Sequence, residues 1–288
     1  MMKKWIITSM LLFLLSACSP ALDANEQSSE QPSSDPAKNS QTDQESENQS
    51  NQLSEITEGE EEINEEMDEG VSGDHSKVTP QYYVDSTNYS VKPIDDAEPS
   101  VVLLTIDDAP DKYALDMAKI LKELNVKAIF FVNGHFIETE EKKAVLKEIH
   151  DMGFPIGNHT MTHKSLNSIT EEDQYEEIMT LNDRIEEIIG EKPRFFRAPF
   201  GGNTDYAKDL AAKEGMILMN WTYGYDWEPG YMEASALKDI MINTEALSNG
   251  ANLLMHDREW TKDALSEIVI GLQNKGYKIL DPDLIGNE

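Results

Sequence analysis

From Val101 to Leu280 the sequence alternates short apolar runs with amphipathic stretches, and this alternation limits the fold more than any other feature. The runs Val101–Ile106, Ala128–Asn133, Phe154–Gly157, Phe195–Ala198, Ile217–Tyr223, Ala251–Met255 and Tyr277–Leu280 read as buried strands. Between them, Tyr113–Leu124, Lys142–Met152, Thr170–Ile189, Asp205–Glu214, Ser235–Ser248 and Lys262–Lys275 read as helices. Repeated strand–helix units call for a parallel sheet with helices outside it. About seven strands in roughly 200 residues predict an α/β fold, a distorted or incomplete (β/α) barrel. A doubly wound open sheet is the competing architecture. Either places chemistry at the C-terminal ends of its strands, where Asp107-Asp108, His159, Arg197, Asp226 and His256 fall.

The first eighty residues are different material. Lys3 and Lys4 followed by the apolar stretch Trp5–Leu15 read as a secretory signal over residues 1–18, too short for a dedicated membrane span. It ends in Leu15-Ser16-Ala17-Cys18, which resembles a bacterial lipobox, where cleavage precedes a lipidated cysteine. Cys18 is the only cysteine, so an intrachain disulfide is excluded. Residues 19–80 hold no aromatic residue and seventeen acids against two lysines. Such a segment cannot bury enough apolar surface to offset chain entropy, and it predicts a disordered acidic tether. Residues 81–288 remain as one domain with a sizeable core. The formal charge of −31 argues against nucleic acid as a partner.

His159-Thr160-Met161-Thr162-His163 puts two imidazoles four residues apart. On a helix they would share one face and reach one metal ion. With an aspartate they would leave open positions for water, the pattern of a catalytic rather than a structural site. Each polar residue also has a purely structural reading: Asp107-Asp108 as helix caps, Arg197 as a buried ion-pair partner, Trp227 as core.

Four stretches in order carry a resemblance: Thr105-Ile106-Asp107-Asp108-Ala109-Pro110, His159 to His163, Arg197-Ala198-Pro199-Phe200-Gly201, and Leu253-Leu254-Met255-His256-Asp257. Together they resemble the motifs of the polysaccharide deacetylases, carbohydrate esterase family four or NodB-homology domain, over about residues 98–282. The resemblance implies that Asp108, His159 and His163 bind a divalent metal, usually zinc, with cobalt or nickel in some members. It implies Asp107 as general base, Arg197 as the partner of its carboxylate, and the Phe200 backbone N–H as an oxyanion donor. His256 would protonate the departing amine, and Trp227 and Leu254 would line the acetyl pocket. The substrate implied is an N-acetylated polysaccharide, with peptidoglycan first and chitin-type glycans next. The lipobox adds a lipid anchor on Cys18 at the outer face of a bacterial cell membrane.

The sequence departs from the family pattern at three places. Ala109 replaces a glycine, and Phe200 replaces a tyrosine. Tyr223 stands where many members carry an aspartate that pairs with the acid histidine; Asp226 matches only a later acidic position. On that alignment the pairing of His256 stays open: without a partner its pKa would be lowered, unless Asp226 swings in to serve it. Two alternatives follow: a glycan-binding lipoprotein with weak or no catalysis, and an O-acetyl esterase, whose better leaving group needs a weaker acid.

Overall fold

The computed structural model describes residues 79–287. The predicted signal segment, Cys18 and the acidic linker up to residue 78 lie outside the described residues. Two three-residue strands, β1 (Tyr82–Val84) and β2 (Val91–Pro93), form an antiparallel pair ahead of the main domain. The chain then runs β3 (Val101–Ala109), α1 (Ala114–Glu123), β4 (Ile129–Val132), α2 (Glu140–Asp151), β5 (Ile156–Asn158) and α3 (Glu171–Ile189). It continues β6 (Phe195–Phe196), α4 (Asp205–Lys213), β7 (Ile217–Leu218), α5 (Ala234–Asn243), β8 (Ala251–His256), α6 (Glu259–Asn274) and β9 (Lys278–Ile279). Helix boundaries fall within a few residues of those read from the sequence. The hairpin β1–β2 was not expected, because strands of three residues show no periodicity.

All pairings in the main sheet are parallel, in the order β7-β6-β5-β4-β3-β8, with β9 beside the start of β3. The sheet curls, and its outer edges meet at a single bridge between Tyr223 and Leu253. The Thr222 N–H donates to Asn252 O (2.9 Å) and the Leu254 N–H to Tyr223 O (2.9 Å). The result is the expected incomplete barrel. The run Ile217–Tyr223 is not one strand, however. Pairing with β6 ends near Met219, and the chain crosses a gap before it meets β8. Asn252 spans that gap, donating from Nδ2 to Asn220 O (2.9 Å) and Tyr89 O (3.2 Å).

Strand alternation sorts the side chains into two layers. Val102, Leu104 and Ile106 of β3 pack under the helices with Phe130, Leu253 and Met255. Val101 and Leu103 point into the barrel with Ile129, Phe131, Phe195 and Met219. The inward set on β3 continues as Thr105 and Asp107, and on β8 as Asn252, Leu254 and His256. The alternation that builds the core therefore delivers polar groups to the inner face at the C-terminal strand ends. Among the described residues no helix is long and apolar enough to cross a membrane.

Gly250 ties the hairpin to the barrel. Its φ is +77°, its carbonyl accepts from Val91 N (2.7 Å), and a Cβ there would lie 2.0 Å from Val91 O. We expect Gly250→Ala to lower unfolding free energy by about 2 kcal/mol or more, combining left-handed strain with a displaced backbone hydrogen bond. Urea denaturation with an unchanged m-value would show it; a loss below about 0.5 kcal/mol would mean the hairpin yields freely.

Candidate active site

Asp107 and Asp108 are consecutive, so an unbroken strand would point them to opposite faces. The β3–β4 register shifts between Ile106 and Ala109, and Asp108 has φ +60°. This bulge brings both carboxylates to the same mouth, the use to which bulges beside active sites are commonly put. Ala109, in place of the family's glycine, has no positive φ and is fully buried, so its methyl is accommodated. Neither aspartate caps a helix. That task falls to Asp257, which faces away from His256 and accepts from the N–H groups of Lys112, Tyr113 and Ala114 at 2.6–3.0 Å. Burial pushes the Asp257 carboxyl up, against the lowering effect of those donors.

Beneath Asp107 lies Arg197, at 0% exposure the bulkiest fully buried side chain. Nη1 donates to Asp107 Oδ1 (2.6 Å) and Thr105 Oγ1 (2.9 Å), and Nη2 to Asn220 O (2.7 Å). The guanidinium sits over the Phe131 ring at 4.3 Å. Burial pulls its pKa down, and the charge and hydrogen bond of Asp107 oppose that shift.

His159 and His163 do come together, but not on a helix. They sit in the loop after β5, where Thr160 and His163 have φ of +71° and +58°, and their ring centroids are 5.0 Å apart. The loop is held from outside. Asn133 Nδ2 donates to His159 O (2.5 Å), and the buried Glu177 of α3 accepts from the Thr162 N–H (2.7 Å) and the Thr162 hydroxyl. His159 Nδ1 lies 2.7 Å from Arg197 O. A carbonyl only accepts, so Nδ1 carries the proton and Nε2 presents its lone pair to the pocket. The pKa of His163 is lowered, first by burial and then by repulsion from His159. Asp108, His159 and His163 each offer a ligand atom within 4.8 Å of the others. One carboxylate oxygen and two neutral imidazole nitrogens are a suitable donor set for a divalent ion such as zinc. Burial raises the pKa of the Asp108 carboxyl, but the imidazoles of His256, His159 and His163 and the Arg258 guanidinium carry it below its ordinary value.

Across the pocket, the pairing of His256 that the sequence left open is made by Asp226. His256 Nδ1 lies 2.7 Å from Asp226 Oδ1, and Asp226 Oδ2 accepts from His256 N (2.6 Å) and Thr261 Oγ1 (2.8 Å). Burial depresses the imidazolium, but the hydrogen bond and charge of Asp226, with Asp107 and Asp108 further off, leave its pKa above the ordinary value. Tyr223 is elsewhere. Bridged to Leu253, it shares the outward face of β8, lies under α5, and donates its hydroxyl to Met241 O (2.8 Å). Burial pushes its phenol well above the ordinary range. Between the two residues, Gly224 passes so close to Leu254 O that a Cβ would lie 2.4 Å from it, which lets the chain fold Asp226 in under His256.

Asp107, His159, His163, Phe200, Trp221, Trp227, Leu254 and His256 line a pocket of about 180 Å³. Phe200 is 72% exposed and its ring stands against His163 (4.8 Å), while Trp227 stands against His256 (5.3 Å). Trp227 is 38% exposed, so it is not core. Phe200 has φ +58° in the short turn Pro199–Gly201, where Pro199 has no N–H to give and the Gly201 N–H donates to Ala198 O (3.1 Å). Every site residue predicted within residues 79–287 is therefore at or beside this pocket. Trp221, Glu177, Arg258 and the role of Asp226 were missed. For Glu177 a signal existed: it lies on the stripe that carries Ile178, Leu181 and Ile185 inward. His135 and His150 stay outside the site as ordinary polar residues, His150 beside Glu191.

The structure is thus a curled parallel sheet with an Asp-His-His cluster and an Asp–His pair at its mouth. Residues 95–247 match the family Polysaccharide deacetylase, and the chain belongs to that family. It is 30% identical over 213 residues to the uncharacterized protein YlxY of Bacillus subtilis, a match covering 71% of this chain and 63% of that protein. It is 27% identical over 215 residues to a peptidoglycan-N-acetylglucosamine deacetylase of Bacillus cereus, covering 72% of this chain and 75% of the relative. A solved structure of a CE4 family pseudoenzyme from Bacillus anthracis is similar, with TM-score 0.57 and 28% identity over 67% of this chain and 68% of that one.

Two outcomes test this geometry. In an NMR titration the His256 ring should lose its proton above the ordinary histidine value of about 6.5. In Asp226→Asn it should lose it at a lower pH than in the parent, because burial is then opposed only by the more distant Asp107 and Asp108; an unmoved titration would mean the pair does not set the charge. Tyr223→Phe should lower stability by about 1 kcal/mol and leave turnover unchanged. Tyr223→Asp, the residue usual in the family, should cost about 3–5 kcal/mol as an unpaired buried charge. A gain of turnover in Tyr223→Asp would contradict the outward placement of this residue.

Proposed function

We propose that the protein is a metal-dependent polysaccharide N-deacetylase that removes acetyl groups from N-acetylhexosamine units, with peptidoglycan as its first substrate. The observation that carries this reading is a base and an acid on adjacent inward positions of β3 and β8. Asp107, paired with Arg197, and His256, paired with Asp226, line the same pocket. Asp108, His159 and His163 would hold the ion, zinc first with cobalt or nickel as alternatives. A bound divalent cation lowers the pKa of coordinated water toward ~7 and polarises a carbonyl.

This chain's own groups do the rest. Asp107, held in place by Arg197, takes a proton from the attacking water as its oxygen adds to the acetamide carbon. The Phe200 N–H faces the oxyanion; a donor so placed contributes ~3–4 kcal/mol. His256, held charged by Asp226, delivers a proton to the sugar nitrogen as the C–N bond breaks, releasing acetate and a free amine. Trp227 and Leu254 wall the acetyl methyl group. The glycan-binding alternative drew its motive from an unpartnered His256, and the 2.7 Å contact to Asp226 removes that motive. Lipidation at Cys18 would hold the enzyme at the outer face of the membrane, where the cell-wall glycan lies.

The test is acetate release from acetylated peptidoglycan and N-acetylglucosamine oligomers, with and without chelator, beside Asp107→Asn. Turnover should vanish with chelator, return with zinc, and fall roughly 10²–10⁴-fold in Asp107→Asn at unchanged metal content. No acetate from either glycan by the metal-loaded protein would overturn the enzyme reading.

A further inference from the structure

Arg258 has no part in the mechanism above, yet it is bound to Asp108 of the Asp-His-His cluster. It follows His256-Asp257 and opens α6. Its backbone N–H donates to His256 O (2.8 Å), while the preceding Asp257 N–H donates to Asp107 O (3.1 Å). The guanidinium is fixed through both terminal nitrogens: Nη1 donates to Asp257 O (2.9 Å) and Nη2 to Asp108 Oδ2 (2.7 Å). The other oxygen of Asp108 is the one turned to the histidines, 3.6 Å from His163 Nε2. Each of the two carboxylates at the mouth thus has one oxygen taken by a guanidinium, Asp107 by Arg197 and Asp108 by Arg258. The two pairs are placed differently. Arg197 is sealed in the barrel, whereas the Arg258 side chain is 36% exposed at its edge.

This arrangement has two consequences for an arriving cation. An arginine cannot shed its proton, so its charge stays and opposes a second positive charge nearby. The occupied Oδ2 also leaves Asp108 a single oxygen to offer. We propose that Arg258 is a positioning residue that restricts Asp108 to one-oxygen ligation and deliberately weakens the site's hold on a divalent cation, keeping coordination positions free for water and substrate. The inference rests on the metal-binding reading above and adds a residue that tunes it.

Zinc alone, titrated into the full-length protein against a chromophoric chelator, is the test. Arg258→Gln should bind zinc about tenfold or more tightly than the parent, the size of effect outer partners have on metal sites. Arg258→Met, which keeps the aliphatic stem, should do the same, and Arg258→Lys, which keeps the charge, should stay near the parent. The zinc-induced rise in Tm should be larger in the Gln and Met variants, since tighter binding stabilises the folded state further. A merely structural role would loosen the site instead. Equal or weaker zinc binding in both the Gln and Met variants, or tightening in Lys as large as in Gln, overturns the proposal and leaves the metal reading standing. No zinc binding by the parent overturns both.

Discussion

The architecture depends on one buried charge. Arg197 has no exposure, and its guanidinium lies inside the barrel. Removing one partner from such a pair typically costs ~3–5 kcal/mol, because the other charge is left uncompensated. Every group that satisfies Arg197 therefore becomes a constraint on the fold. Asp107 and Thr105 must be inward residues of β3, and Asn220 must turn a carbonyl inward after β7. The Arg197 carbonyl, in turn, orients His159. One side chain thus fixes the position of the proposed base, the tautomer of a proposed ligand, and the path of the chain where the barrel fails to close.

That failure to close is itself used. A continuous strand from Ile217 to Tyr223 would spend its carbonyls on sheet hydrogen bonds and leave none for the guanidinium. The break after Met219 frees Asn220 O, and side-chain amides replace the missing ladder. Trp221 then enters the pocket wall, and Tyr223 rejoins the sheet with outward parity.

Parity also explains what was legible in the sequence. Buried strands, amphipathic helices and the residues ending each strand could be read, because apolar periodicity and burial are one fact seen twice. The two imidazoles of the His-x-x-x-His pair do meet, but two left-handed residues, not a helical turn, bring the rings together. The partner of His256 stayed open because position along the chain does not give the face of the sheet. A three-residue offset decides the face, and only the bridge to Leu253 reveals it. Glu177 acts from α3, outside the motifs, and Arg258, although next to His256-Asp257 in the chain, has a contact to Asp108 that only the fold reveals.

Asp108 and Asp257 bring the same logic to a test. Each follows a pocket residue at the end of an adjacent strand, Asp107 on β3 and His256 on β8, paired in register. Alternation should send both outward. Asp257 obeys and caps α1. Asp108 escapes only because β3 carries the bulge and a positive φ, a conformation that costs a residue with a Cβ about 1–2 kcal/mol. That strain lies where the chain needs two carboxylates on one face, one to accept a proton and one to hold a cation. The ion pairs from Arg197 and Arg258 offset both the strain and the mutual repulsion of the acids. The two cationic partners are thus what allows consecutive aspartates to share a mouth.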